Sequence, residues 1–332
     1  MSGGATARPI HRRLTTFTAT WSSQIGITIA FVLLWLAFVV AAPGTFQREG
    51  IYLSFAQTTP YFAIMAMALT MVIVAGDIDL SFGSIMALGM VGFLFTWDAT
   101  GSVELGVLGG LLTGAAAGLF NGVLVAVLGL PSLVVTIGTQ FLFRGLTVVL
   151  VAGRSFTLVE PKSSTVGGFL VGRVGPIPME FIWLVLVTIL AWVLLNRHRL
   201  GQNAYVIGDN RQAAQLMGIP IRRTRVILFM LVGVAAAFAG VLNSFQVSNF
   251  YPAGLGGGYL LPALAAVFVG GTSVFGGRGS IWGTFLGAFM IGGIQAGVIA
   301  AGLTEFYTQP IYGAIILISI AIHAVLQRRF QR

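Results

Sequence analysis

Apolar runs of fifteen to twenty-four residues recur along the chain, separated by polar or glycine-rich breaks. They fall at 25–42, 59–75, 80–95, 105–128, 133–151, 181–195, 226–245, 259–274, 281–301 and 311–326. A helix rises about 1.5 Å per residue, so runs of this length match the roughly 30 Å hydrocarbon layer of a bilayer. The pattern predicts an all-α polytopic membrane protein of about ten transmembrane helices. The short breaks near Gly76 and Gly129 leave room for a re-entrant or broken helix. The first run follows a basic stretch, as in a secretory leader, but it exceeds the roughly 7–15 apolar residues of a leader and further runs follow it. It is read as an uncleaved helix, although Ala41 and Ala42 leave cleavage open.

Charge orients these runs. Cytoplasmic loops hold the excess of Lys and Arg. With the N-terminus inside, the inner face receives Arg8, Arg12, Arg13, Arg197, Arg199, Arg211, Arg222, Arg223, Arg225, Arg278, Arg328, Arg329 and Arg332. The outer face receives only Arg48, Arg154, Lys162 and Arg173, together with Glu49, Asp98, Glu104, Glu160, Glu180 and Glu305. Both termini are therefore expected in the cytoplasm, as tails at 1–24 and 328–332 around one transmembrane domain at 25–327. Five runs precede the midpoint and five follow it, without a convincing sequence repeat between the halves. Glycines such as Gly106, Gly109, Gly110, Gly114 and Gly118 place small residues on recurring helical faces and predict close packing.

Composition narrows the chemistry. Only 8% of residues are charged and 57% are hydrophobic, against roughly a quarter charged in soluble domains. The net charge of +9 would suit nucleic acid, but the bases serve as topological markers and no nucleic-acid partner is expected. With no cysteine there are no disulfides or thiolate sites, and His11, His198 and His323 lie far apart in basic flanks, so no metal site is read. A phosphate-binding loop GxxxxGK[ST] is excluded, because the only lysine, Lys162, follows Pro161. The buried spread of ionisable groups that marks many proton-coupled carriers is also missing. Energy for any transport is expected from a partner, and no catalytic site is found.

The longest inner segment, 196–225, reads NRHRLGQNAYVIGDNRQAAQLMGIPIRRTR. It predicts a turn at Gly208, a cap at Asp209 or Asn210, a short helix through Met217, a boundary at Gly218 and a stop at Pro220. A two-turn helix needs packing against something larger, and its Ala213, Ala214 and Met217 suit a groove in a soluble protein. The arginines equally suit a connector lying on the lipid surface.

Five stretches in order carry a resemblance: GDIDLSFGSIMAL from Gly76, FNGVLVAVLGLPSLVVTIGTQFLFRGL from Phe120, LGQNAYVIGDNRQAAQLMGIPIRRTR from Leu200, LVGVAAAFAGVL from Leu231 and LAAVFVGGTSVFGGRGSIWGTFLGA from Leu264. The chain resembles the ribose, xylose and arabinose type of ABC sugar importer permease over nearly its whole length beyond the first helix. The resemblance implies a permease of the bacterial cytoplasmic (inner) membrane that binds no cofactor itself. It works by alternating access with a second permease copy or paralogue, a cytoplasmic ABC ATPase using ATP and Mg, and a periplasmic or lipid-anchored sugar-binding protein delivering a small neutral sugar or polyol. It also implies that Gly208, Asn210, Ala213, Ala214, Met217, Gly218 and Ile219 contact the ATPase. A self-sufficient secondary carrier is the alternative reading.

GDIDLS departs from the usual GGIDLS of this family, with Asp77 in place of a glycine beside Asp79. A tight inner turn or a gate hydrogen bond is expected at Asp77, Asp79 and Ser81, with Ser81 capping the next helix and no metal held. A second departure, GGYLLP at 257–262, lacks the two acids of GYELDAIAAV, so whatever contact those carboxylates make in relatives is missing here. Arg144 is the sole base inside an apolar run and reads as a structural ion pair, a carbonyl clamp or a pore residue. Asn121, Thr136, Gln140, Arg144, Asn243, Gln246 and Gln295 form the expected translocation route for a hydroxylated solute, the uncharged members also suiting interhelical glue.

Overall fold

A computed structural model describes the backbone of residues 11–330; the tail positions 1–10 and 331–332, and the side chains of 11–23, 305 and 322–330, lie outside the described residues. The first helix, α1 (His11–Ala41), begins well before the expected start at 25. It leads through the short α2 (Pro43–Phe46) to α3 (Glu49–Thr58) and α4 (Pro60–Val74). These two bend by 51° where Pro60 removes a backbone donor. The expected run at 59–75 is thus only the second part of this pair; α3 was missed because Glu49, Ser54 and Gln57 dilute its apolar pattern.

Then follow α5 (Phe82–Thr100), α6 (Val103–Gly122) with a π-helical continuation Val123–Val127, and α7 (Ser132–Leu150). The connection that follows carries α8 (Val159–Ser163) and α9 (Thr165–Val171) and leads to α10 (Met179–Asn196). The long polar segment folds as α11 (Arg199–Asp209) and α12 (Arg211–Leu216), before α13 (Ile221–Gln246). Last come α14 (Leu260–Val269), α15 (Ile281–Ala300) and α16 (Thr308–Phe330). The run expected at 259–274 yields only the ten-residue α14, stopped where Gly271 adopts a φ of 83°. Neither Gly76 nor Gly129 marks a broken helix; both are left-handed turn residues between separate helices.

Among the described residues, seven helices are long and apolar enough to cross a membrane, the bent α3–α4 pair makes an eighth, and α14 and α16 contribute shorter apolar segments. The protein is an all-α polytopic membrane protein. Its only strands among the described residues are two antiparallel two-residue pairs: β1 (Phe156–Thr157) with β4 (Asn249–Phe250), in register Phe156↔Phe250, and β2 (Arg173–Val174) with β3 (Ile177–Pro178).

Every residue of α4 is buried, as expected of a helix hydrophobic on all sides. It forms the central post. Beside it α5, α6 and α13 meet along a seam of small residues. A Cβ on Gly110 would fall 2.9 Å from Gly89 O, and one on Gly114 or Gly118 would strike Gly233 O or Phe229 O. The close packing expected of these glycines is present, against backbone at Gly110, Gly114 and Gly118 and against the Phe93 and Thr96 side chains at Gly106 and Gly109. Helix α7 instead leaves Leu133, Val134, Phe141 and Val149 exposed, an apolar face suited to lipid or another helix.

Candidate functional site

Helix α4 runs from cavity residues Tyr61 and Phe62 to the 75–81 turn, and α13 and α15 run back to cavity residues Gln246 and Ile299, so their connectors gather at two ends. At one end lie the turn 75–81, the α11–α12 segment and the loop 270–280, with Arg197, Arg199, Arg211, Arg222, Arg223 and Arg278. At the other lies a cavity of about 1340 Å3 between α3, the start of α4, the end of α13, the loop 247–259, the end of α15 and the start of α16.

Helix α11 is amphipathic, burying Leu200, Ala204 and Ile207 on one side. Its partner α12 starts at Asn210, whose Oδ1 accepts the Ala213 N–H at 3.0 Å, and ends at Gly218 with a φ of 72°. There Ile219 N donates to Ala214 O and Gly218 N to Gln215 O, a Schellman closure. The members of the expected coupling set separate by face. Ala214 is buried, Ala213 and Ile219 are half-buried, and Asn210, Met217 and Gly218 are exposed. Leu216 is 90% exposed and Met217 70%, two large apolar side chains side by side on a polar stub. Leu216 was overlooked because the helical pattern gave no sign of which side faces the bundle.

Gly208 is not the expected turn. It sits in the last turn of α11, and its missing side chain serves contact: a Cβ there would strike Val74 O and lie 2.6 Å from Gly277 N.

At the 75–81 turn, Asp77 is buried and gripped in two-pronged fashion by Arg225, with Nε to Oδ2 at 2.5 Å and Nη2 to Oδ1 at 2.6 Å. Arg225 Nη1 also donates to Val125 O at 3.3 Å, which joins α13, the turn and the π-helical end of α6. Arg225 therefore departs from its expected place among the loop bases: it is a buried partner. Asp79 is fully buried, and its Oδ1 accepts from both Ser81 N and Ser81 Oγ at 2.7 Å. Ser81 makes no side-chain cap to α5, since its hydroxyl donates to Asp79 and accepts from Asn121 Nδ2 at 2.7 Å. Burial pushes the Asp79 carboxyl up to about 6, against the pull of the Ser81 and Asn121 hydrogen bonds.

The expected route residues divide between these places. Asn243, Gln246 and Gln295 line the cavity together. Asn121 belongs to the Asp79 cluster, Thr136 bonds to Ser132 O and Ile78 O near the same turn, and Gln140 lies half-buried on α7. Arg144 is exposed and donates to Ala253 O, beside the stretch 254–259 that forms the cavity rim. It acts as a carbonyl clamp.

No carboxylate, lysine, arginine or histidine lines the cavity among the described residues. Its polar groups are amides and hydroxyls, with Tyr61, Phe62, Tyr259 and Tyr312 adding ring faces. Tyr259 Oη accepts from Asn243 Nδ2 at 2.9 Å, and behind Tyr61 the fully buried Glu180 accepts its hydroxyl at 3.5 Å. Glu180 was expected in an outer loop, and it occupies the first turn of α10 instead. The two tyrosines gave no periodic signal, because each is one more apolar ring in an apolar run.

A family profile described as branched-chain amino acid transport system / permease component matches residues 51–320. The chain is similar to the ribose import permease protein RbsC of Escherichia coli (strain K12), 32% identical over 319 residues that cover 92% of this chain and 95% of that protein. It is similar to the autoinducer 2 import system permease protein LsrD of Salmonella paratyphi A, 32% identical over 323 residues and 94% of each chain. The LsrD of Salmonella typhimurium (strain LT2) is 34% identical over 278 residues, 81% of each. No solved structure matches the chain significantly.

Proposed function

The chain belongs to the family of branched-chain amino acid transport system / permease components, and from that premise we propose that it is the membrane-spanning permease subunit of an ATP-driven, binding-protein-dependent importer of a neutral monosaccharide or related polyol. The seven long helices, the bent pair, α14 and α16 are read as ten passes of a bacterial cytoplasmic (inner) membrane, with both termini and the arginine-rich connectors inside. A second permease copy or paralogue completes the pathway, an external sugar-binding protein docks at the cavity end, and a cytoplasmic ABC ATPase docks at the other. The subunit itself binds no cofactor and catalyses no reaction; ATP and Mg belong to the ATPase.

The observation that carries this reading is the Leu216–Met217 knob. Two large apolar side chains exposed side by side on a capped two-turn helix suit an anchor for a soluble partner's groove. The sequence lacks a GxxxxGK[ST] phosphate loop, so a partner that brings one accounts for both features. The cavity supports the solute class: amides, hydroxyls and aromatic faces match a hydroxylated ring, and an ion would leave its charge unpaired there. A volume above the roughly 300–1,000 Å3 of ordinary ligand sites fits a passage in which the solute keeps some water.

Affinity purification in mild detergent tests the proposal. An ABC ATPase is expected to co-purify with the native chain, and Met217→Glu is expected to release it by at least about tenfold, since burying a charge in an apolar groove costs more than the roughly 1.4 kcal/mol that this factor requires. Uptake into liposomes driven by an ion gradient, with no ATPase present, would instead favour the self-sufficient carrier.

A further inference from the structure

Three connectors at the arginine-rich end meet with no side chain between their backbones. A Cβ on Gly208 of α11 would strike Val74 O at the end of α4. Directly beneath, Gly277 N donates to that same Val74 O at 2.9 Å. Gly276, with a φ of 82°, closes the triangle: a Cβ there would lie 2.9 Å from Gly208 O and 3.0 Å from Gly76 Cα. One turn earlier on α11, the Tyr205 hydroxyl donates to Gly279 O at 2.8 Å and ties the helix to the loop 270–280.

We propose that this joint transmits the motion of the α11–α12 segment to the cavity, with Tyr205 and Gly276 as positioning residues. The inference rests on the ATPase-coupled reading above. Side chains absorb small displacements by changing rotamer, whereas backbone packed on backbone has no such slack and passes the displacement on. A shift of α11 therefore reaches Val74, and through it the buried post α4, whose far end carries Tyr61 and Phe62 of the cavity wall. It also reaches 276–279 and hence α15, whose far end carries Gly292 and Gln295. Gly208 faces inward in this arrangement, and the outward-facing Leu216 and Met217 are left to meet the partner.

The native chain has no cysteine, so the transmission is measurable without any solute. A cysteine placed at Thr58, which lines the cavity, is labelled with an impermeant maleimide in the full complex, with and without ATP and vanadate. The labelling rate is expected to change by about fivefold or more on nucleotide trapping, as a population shift between two states demands. Tyr205→Phe, which removes one hydroxyl, and Gly276→Ala are each expected to reduce that change to less than about twofold, with ATPase recovery and ATP hydrolysis unchanged. A purely structural role would lower yield or melting temperature and leave the nucleotide response in place. If Gly276→Ala does not assemble, Tyr205→Phe decides. Full nucleotide response in Tyr205→Phe overturns the joint, and so does loss of the ATPase from that variant, which would make Tyr205 a docking residue. An unmodified complex whose cavity ignores nucleotide removes the ATPase-coupled reading and the joint with it.

Discussion

Asp79 is held where an ionised carboxylate is poorly solvated, and only one of its oxygens accepts hydrogen bonds from the protein. A carboxyl raised to about 6 on folding binds more protons folded than unfolded, where it sits at roughly 3.9. Stability should then fall as pH climbs between those values and level off above the upper one. The melting temperature in detergent is expected to be higher at pH 5 than at pH 7.5, and Asp79→Asn should flatten that difference. Its neighbour behaves otherwise. Asp77 and Arg225 stabilise each other as a buried pair, and removing one partner leaves a bare charge at a cost of about 3–5 kcal/mol. Asp77→Ala should therefore lower the melting temperature sharply, and Asp77→Leu with Arg225→Met should recover most of the loss. At this scale the sequence was half legible. Asp77 stood out as an acid in a glycine's place, but nothing local announces a partner 148 residues away.

The short element α12 was the more readable one, because its signals are local. Asn210, one of the two caps the sequence offers, caps its start, and Gly218 takes the left-handed turn at the end where the sequence places the boundary. Asn210→Ala is expected to loosen α12 by about 1 kcal/mol, seen as faster amide exchange over 210–217, and Asn210→Ser should restore protection. Gly208 misled for the opposite reason. A glycine beside Asp and Asn reads as a turn, and only the nearness of Val74 O explains why a helix keeps it. The loss of length in α14 and the extra helix α3 have similar causes: a left-handed Gly271 cuts an apolar run short, and tertiary packing extends a mixed one.

Across the whole molecule, lipid as solvent made the fold legible, since uninterrupted apolar runs leave little choice but helices. Which helix stands at the centre was not legible, because the partly exposed α10 is as hydrophobic as α4. Sidedness is open to direct measurement. A cysteine at the exposed Gln212 is expected to resist impermeant reagents in intact cells and to react once the membrane is opened; ready labelling from outside would invert the arrangement. The absence of charge among the described residues of the cavity lining carries, under the proposed function, an electrical consequence. Moving one elementary charge through 100 mV is worth about 2.3 kcal/mol, and neither an uncharged solute nor these walls present such a charge to the field. Uptake should thus be indifferent to voltage: a potassium diffusion potential of either sign, set with valinomycin across liposomes, is expected to leave the rate unchanged.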